Sequence, residues 1–180
     1  MKDNQVDLFT VPVWGFILNE QKYQSSDYLD HIKKLEQTAP SEKKSNFGGY
    51  QTHDNLHQAP VFKEFISSLE TIASKIIQSS CVVKEMWGNI NYQHHFNGAH
   101  THGGTLSGVF YIKTPTDCGR LILVNPAVRG DGKLFRGGNF SINPEPLACI
   151  MFPSWLEHYV EPNLSSEPRV SISFNIDYKI

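Results

Sequence analysis

A chain of 180 residues with 39% hydrophobic, 12% aromatic and 19% charged residues is long enough to bury one core and too rich in aromatics for a disordered segment. Its net charge of −2, with Lys and Arg scattered rather than clustered, lacks the electrostatic footprint of a nucleic-acid binder. Cys81, Cys118 and Cys149 lie far apart without Cys-x-x-Cys spacing, which argues against a disulfide framework or a thiolate zinc site and suits a reducing cytoplasm; no apolar run reaches the length of a signal sequence or membrane span.

Residues 8–18 (LFTVPVWGFIL) are apolar but carry a proline and a glycine, which suits an edge strand or entry segment packed outside the main sheet, or across a homodimer interface. Residues 26–38 place Tyr28, Leu29, Ile32 and Leu35 at helical spacing, with Ser or Asp available as N-cap and Pro40 beyond the end. A polar loop over 41–49 follows. Residues 57–78 show the same periodicity through Phe62, Phe65, Ile66, Leu69, Ile72, Ile76 and Ile77, which predicts a longer helix.

Past Cys81 the texture changes to short β-type runs parted by turn residues: CVVKEMWGNINYQ, LSGVFYIK, RLILVNP, PLACIMFP and RVSISFNIDY. Strands in series without intervening helices predict an antiparallel sandwich or barrel. The expected organisation is a single domain over 1–180, with a strand and supporting helices over 1–80 and a β core over 81–180. Residues 125–143 are rich in glycine and carry Arg129 and Arg136; a loop of this length is a candidate substrate loop.

The densest chemical signal is His94-His95-Phe-Asn-Gly-Ala-His100-Thr-His102. In extended backbone His100 and His102 point the same way, the geometry for chelating one metal ion. His158, ending a late apolar run, could face that pair across a barrel mouth, whereas His94 and His95 read as structural or surface residues. Imidazole suits iron, zinc, copper and nickel alike. In RVSISFNI, Arg169, Ser171 and Ser173 alternate with Val170, Ile172 and Phe174, so one face of a core-like strand is polar, and a buried arginine needs an anion.

In the order His100-Thr-His102, LSGVFYIK, RLILVNP, CIMFPSWLEHYVEP and RVSISFN, these segments resemble the iron(II) and 2-oxoglutarate dependent oxygenases, most of all their small members from bacteria and phages. The resemblance spans residues 87–176. It implies a mainly β protein with N-terminal helices whose core is a double-stranded β-helix, a jelly-roll or cupin-like barrel. It implies a non-haem Fe(II) dioxygenase, expected to be a hydroxylase, that uses 2-oxoglutarate and dioxygen, with no catalytic residue beyond the metal centre. His100, His102 and His158 would be the metal ligands. Arg169 and Ser171 would hold the distal carboxylate of 2-oxoglutarate, Tyr111 would complete that pocket, and Asn91 would reach the cosubstrate. Trp87, Phe152 and Trp155 would supply dry walls, and Arg129 and Arg136 would meet an anionic or peptidyl substrate. The superfamily usually carries an acid where this chain has His102. That departure leaves open a three-histidine oxygenase, a site in which His102 stands off, and a site for another metal. Two rivals remain: a three-histidine cupin-type metalloenzyme without 2-oxoglutarate, and a non-catalytic jelly-roll binding or structural protein. The substrate expected is a small molecule or a peptidyl side chain.

Overall fold

The computed structural model describes residues 10–23, 25–127 and 138–179. The first helical periodicity becomes α2 (Ser25–Thr38), preceded by strand β1 (Trp14–Ile17) and the one-turn helix α1 (Glu20–Tyr23). Strands β2 (Asn46–Phe47) and β3 (Tyr50–Gln51) follow. The second periodicity divides: two single 3-10 turns, Leu56–Gln58 and Pro60–Phe62, precede helix α3 (Lys63–Ile77). Pro60 explains the split, because the residue before a proline is pushed out of the helical region and Ala59 is extended at φ −80°, ψ 130°. Gln78 then ends α3 in the left-handed conformation at φ 57°.

The remaining strands are β4 (Cys81–Asn91), β5 (Phe96–His100), β6 (Leu106–Lys113), β7 (Leu121–Leu123), β8 (Phe140–Ile142), β9 (Ala148–Pro153), β10 (His158–Val160) and β11 (Arg169–Tyr178). Among the described residues the strands form two antiparallel sheets, one of six strands in the order β1-β9-β6-β11-β4-β3 and one of five in the order β2-β5-β10-β7-β8. The N-terminal segment forms an edge strand, as its proline and glycine suggest, but it does not pack outside the main sheet: β1 pairs with β9 as the terminal strand of that sheet, Trp14 opposite Met151 and Ile17 opposite Ala148. An edge is where a segment entered through Pro12 and carrying Gly15 is tolerated.

β11 is central, hydrogen-bonded to β4 on one side and β6 on the other. Its alternation sorts two environments. Val170, Ile172, Phe174 and Ile176 join Phe62, Phe65, Leu69 and Ile32 in the larger apolar core, with Phe65 against Phe110 at 5.0 Å and against Phe174 at 6.3 Å between ring centroids. Helices α2 and α3 therefore shield one face of the six-stranded sheet. The opposite face, which carries Arg169, Ser171 and Ser173, lines a cavity against the five-stranded sheet, and a smaller apolar cluster of Tyr111, Leu121, Leu123, Ile150, Phe152 and Leu156 packs there. No helix among the described residues is long and apolar enough to cross a membrane. All three cysteines are buried and free.

Candidate metal centre

Strands β5 and β10 are neighbours, and His100 stands directly opposite His158 in their register. Directly opposed residues of an antiparallel pair present their side chains on the same face at close range, and the two rings lie 4.3 Å apart between centroids. The expectation of a meeting across a barrel mouth is thereby corrected, since the two histidines share one sheet. His102 lies just past the end of β5, its backbone N–H donated to the Ser154 carbonyl at 2.9 Å. Its ring centroid is 4.7 Å from that of His100 and 5.1 Å from that of His158. One nitrogen from each ring falls within 4.8 Å of the others.

Hydrogen bonding settles how two of these rings are protonated. His100 Nδ1 is 2.7 Å from the Gly98 carbonyl, and His158 Nδ1 is 2.8 Å from the Leu156 carbonyl. A carbonyl only accepts, so each Nδ1 carries the proton and each Nε2 keeps its lone pair. Burial also favours the neutral form: it lowers the pKa of His100, takes that of His158 to about 4 and, with the two neighbouring imidazoles, that of His102 to about 3. Three convergent neutral nitrogens, two with tautomers fixed by backbone carbonyls, are a donor set that fits a divalent transition metal. His102 differs from the other two, because its ring packs on Trp87 at 5.4 Å and hydrogen-bonds to no described residue.

Arg169 begins β11 and is 1% exposed. Its Nη1 donates to the carbonyls of Cys118, Gly119 (3.2 Å) and Glu161 (3.5 Å). Gly119 is required there, because it adopts φ +83° and a Cβ on it would approach the Pro162 carbonyl to 2.7 Å. Burial lowers the Arg169 pKa, and Nη2 is buried without any hydrogen-bond partner among the described residues. A buried guanidinium with one donor unmatched fits an anion, and the same cavity that receives the three imidazoles is lined by Arg169.

The other residues singled out from sequence divide. Ser171 stands between Asn89 on β4 and Tyr111 on β6, and Asn91 stands opposite Arg169; all line the cavity. Burial raises the Tyr111 pKa, with the Arg169 charge opposing it, so the phenol stays protonated as a donor. Trp87 and Phe152 also line the cavity. Trp155 does not: it is 56% exposed, because it sits in the turn between β9 and β10. His94 is exposed in a turn at φ 67°, and His95 lies outside the histidine cluster. Arg129 and Arg136 lie outside the described residues.

Sequence reasoning missed Asn89, Ser45, Asn97 and Ser107 as cavity walls. Asn89 Nδ2 donates to Ser173 Oγ at 3.1 Å, and Asn91 Nδ2 to Asn97 Oδ1 at 3.4 Å. The polar alternation Asn89-x-Asn91 in an otherwise apolar run was a usable signal. Ser45 and Asn97 were not legible, because their approach depends on the pairing of β2 with β5.

A family model described as "Putative 2OG-Fe(II) oxygenase" matches residues 85–175, about half of the chain, with all of β5 to β10 and most of β4 and β11. No curated protein matches the sequence. Among solved structures, a Pseudomonas putida prolyl-4-hydroxylase is similar at a TM-score of 0.71 with 14% identity, over 94% of this chain and 94% of its own. The epimerase SnoN from nogalamycin biosynthesis, solved with Fe3+, alpha ketoglutarate and nogalamycin RO, is similar at 0.71 with 13% identity, over 92% of this chain and 78% of its own. The viral collagen prolyl hydroxylase vCPH from Paramecium Bursaria Chlorella virus-1, solved as a 2OG complex, is similar at 0.65 with 11% identity, over 91% and 94%. At these identities the structures establish a shared jelly-roll fold and the family match carries the assignment: the chain belongs to the 2OG-Fe(II) oxygenases, enzymes that use iron(II) and 2-oxoglutarate.

Proposed function

We infer that His100, His102 and His158 hold the iron and that Arg169, Ser171, Tyr111 and Asn91 bind 2-oxoglutarate, in an enzyme that hydroxylates a small-molecule or peptidyl substrate. One observation carries this reading: the partnerless Nη2 of Arg169 lines the same cavity as three convergent neutral imidazoles. When bound, the iron and cosubstrate supply coupled chemistry in which dioxygen oxidises both partners, 2-oxoglutarate giving succinate and carbon dioxide while a substrate C–H becomes C–OH.

The protein's part is orientation. The Gly98 and Leu156 carbonyls fix two imidazoles with Nε2 free for the metal. Arg169 offers an already desolvated donor to the distal carboxylate, so binding sacrifices little of its hydration. Ser171 and Tyr111, register partners on β11 and β6 that both line the cavity, would assist through their hydroxyls, and Trp87 and Phe152 would restrict water. His102, without a carbonyl to orient it, is the ligand freest to move, which favours a three-histidine centre whose third ligand is weakest.

The partner classes follow with less detail. The three free, buried cysteines favour a reducing compartment such as the cytoplasm. A homodimer would form most simply across β1, the terminal strand of its sheet. The even charge balance disfavours nucleic acid.

An anaerobic titration of the Fe(II)-loaded protein with 2-oxoglutarate tests the central reading. A visible metal-to-ligand charge-transfer band is expected in the wild type and should be lost in His100→Ala. Absence of the band in the wild type would return the site to the cupin-type or non-catalytic alternatives.

A further inference from the structure

The cavity containing His100, His102 and Trp87 continues into a second, more open cleft bounded by Gln51, Asp54, Glu85, Asn175 and Lys44. Register places this cleft at the far end of the strands from Arg169. On β4 the residues of this face run Asn91, Asn89, Trp87 and, exposed at the open end, Glu85, and on β11 they run Arg169, Ser171, Ser173, Asn175, each opposite the other. The cosubstrate end and this cleft therefore flank the histidines from opposite sides.

Three features mark the cleft as built to receive a ligand. Gln51 is only 5% exposed and lines the cleft; its side-chain amide hydrogen-bonds to no described residue and is reached by solvent rather than sealed off, so its donors and acceptor are free to meet a ligand in the cleft. Glu85 is held in place: its Oε2 accepts from Asn175 Nδ2 at 2.7 Å, and Asn175 Oδ1 in turn accepts from the Ser107 hydroxyl at 2.7 Å. That chain fixes the carboxylate while Oε1 has no partner among the described residues. Asp54 adds a second carboxylate, exposed like Glu85 at the cleft mouth; among the described residues of the lining Lys44 is the one Lys or Arg, and neither acid is ion-paired among the described residues.

Resting on the assignment of metal and cosubstrate above, we propose that this cleft is the substrate subsite and that the substrate carries a protonated amine. Glu85, with Asp54, accepts the ammonium; Trp87 covers its carbon chain beside the metal ligands; Gln51 meets a polar group deeper in the cleft. A cation on a short alkyl chain matches this set, because charge-assisted bonds to an oriented carboxylate give both affinity and register. An anionic substrate meets the wrong sign of charge at these walls.

The test reads succinate formation from 2-oxoglutarate by the iron-loaded enzyme with two probe pools. One holds free neutral L-amino acids and lysine with putrescine and spermidine; the other holds the same compounds with every amine acetylated, which keep the carbon chain and lose the ammonium charge. The free-amine pool should raise turnover above the unstimulated rate and the acetylated pool should not. Glu85→Gln should raise the half-saturating concentration of the stimulating amine about tenfold, with partial recovery in Glu85→Asp and the charge-transfer band retained in both. Equal stimulation by the acetylated pool, an unchanged half-saturation in Glu85→Gln, or no stimulation by amines while the band forms would each overturn the substrate class alone. Failure of the band in the wild type would overturn the metal and cosubstrate assignment, and this one with it.

Discussion

Replacing Arg169 by lysine is the most searching perturbation of the cosubstrate pocket. The guanidinium already donates through Nη1 to carbonyls of Cys118, Gly119 and Glu161, leaving Nη2 for a ligand. Lysine keeps the charge but cannot serve both sets of acceptors, since its ammonium is a point donor rather than a planar fork. Weakening a buried, hydrogen-bonded charge pair costs about 2–5 kcal/mol. The lower end applies where charge is retained, so about 2 kcal/mol, or roughly thirtyfold in Kd, is expected. The assay is the anaerobic charge-transfer titration with 2-oxoglutarate and with 2-oxobutyrate, which keeps the 2-oxo acid head and lacks the distal carboxylate. The wild type should prefer 2-oxoglutarate strongly, and Arg169→Lys should erase most of that preference while leaving 2-oxobutyrate binding unaltered. A preference that survives intact would refute the role given to Arg169, because the pairwise coupling would then be zero.

His102→Ala should weaken Fe(II) binding less than His100→Ala or His158→Ala, because only the latter two rings are oriented by carbonyls; metal-binding titrations with a competing chelator check the order, and equal losses would contradict it. The metal-free protein should lose stability on acidification. The unfolded chain protonates these histidines near pH 6.5 while burial holds the folded values for His158 and His102 at about 4 and about 3, so the unfolded state binds more protons and the stabilising contribution, complete above about pH 6.5, falls as pH drops toward those values. A thermal melt series from pH 7.5 to 4 that stays flat would count against it. Gly108→Ala should destabilise by about 1–3 kcal/mol, because a Cβ there would press on the Phe174 ring and approach the Ile150 carbonyl to 2.6 Å; chemical denaturation measures this, and a neutral result would show that the sheet can yield.

The chemistry was legible where it followed a local rule. Alternation along Arg169 to Phe174 separated the cavity face from the helix face, and His100-Thr-His102 announced itself by spacing. Residues whose role depends on long-range register were not legible in the same way. His158 joins His100 because β10 pairs with β5, and no local pattern reveals which strand a three-residue segment will select. Gln51 lies in a two-residue strand, too short for periodicity to register, and becomes part of the cleft only because β3 pairs with β4. Trp155 was misplaced for the opposite reason, since an aromatic residue next to a histidine motif suggests a wall while the turn geometry turns it to solvent.

The ladder formed by β4 and β11 also bears on how such an enzyme can be diversified. Asn175 lies six positions beyond Arg169, about 20 Å of strand, and the rungs are joined by backbone hydrogen bonds that do not depend on side-chain identity. The positions opposite each other at the far end, Glu85 and Asn175, can be exchanged as a matched pair while the arginine end is untouched. An engineer seeking a new substrate would thus find the recognition rungs and the cosubstrate rungs on one rigid rail, independently replaceable, with the helices behind it untouched by either change.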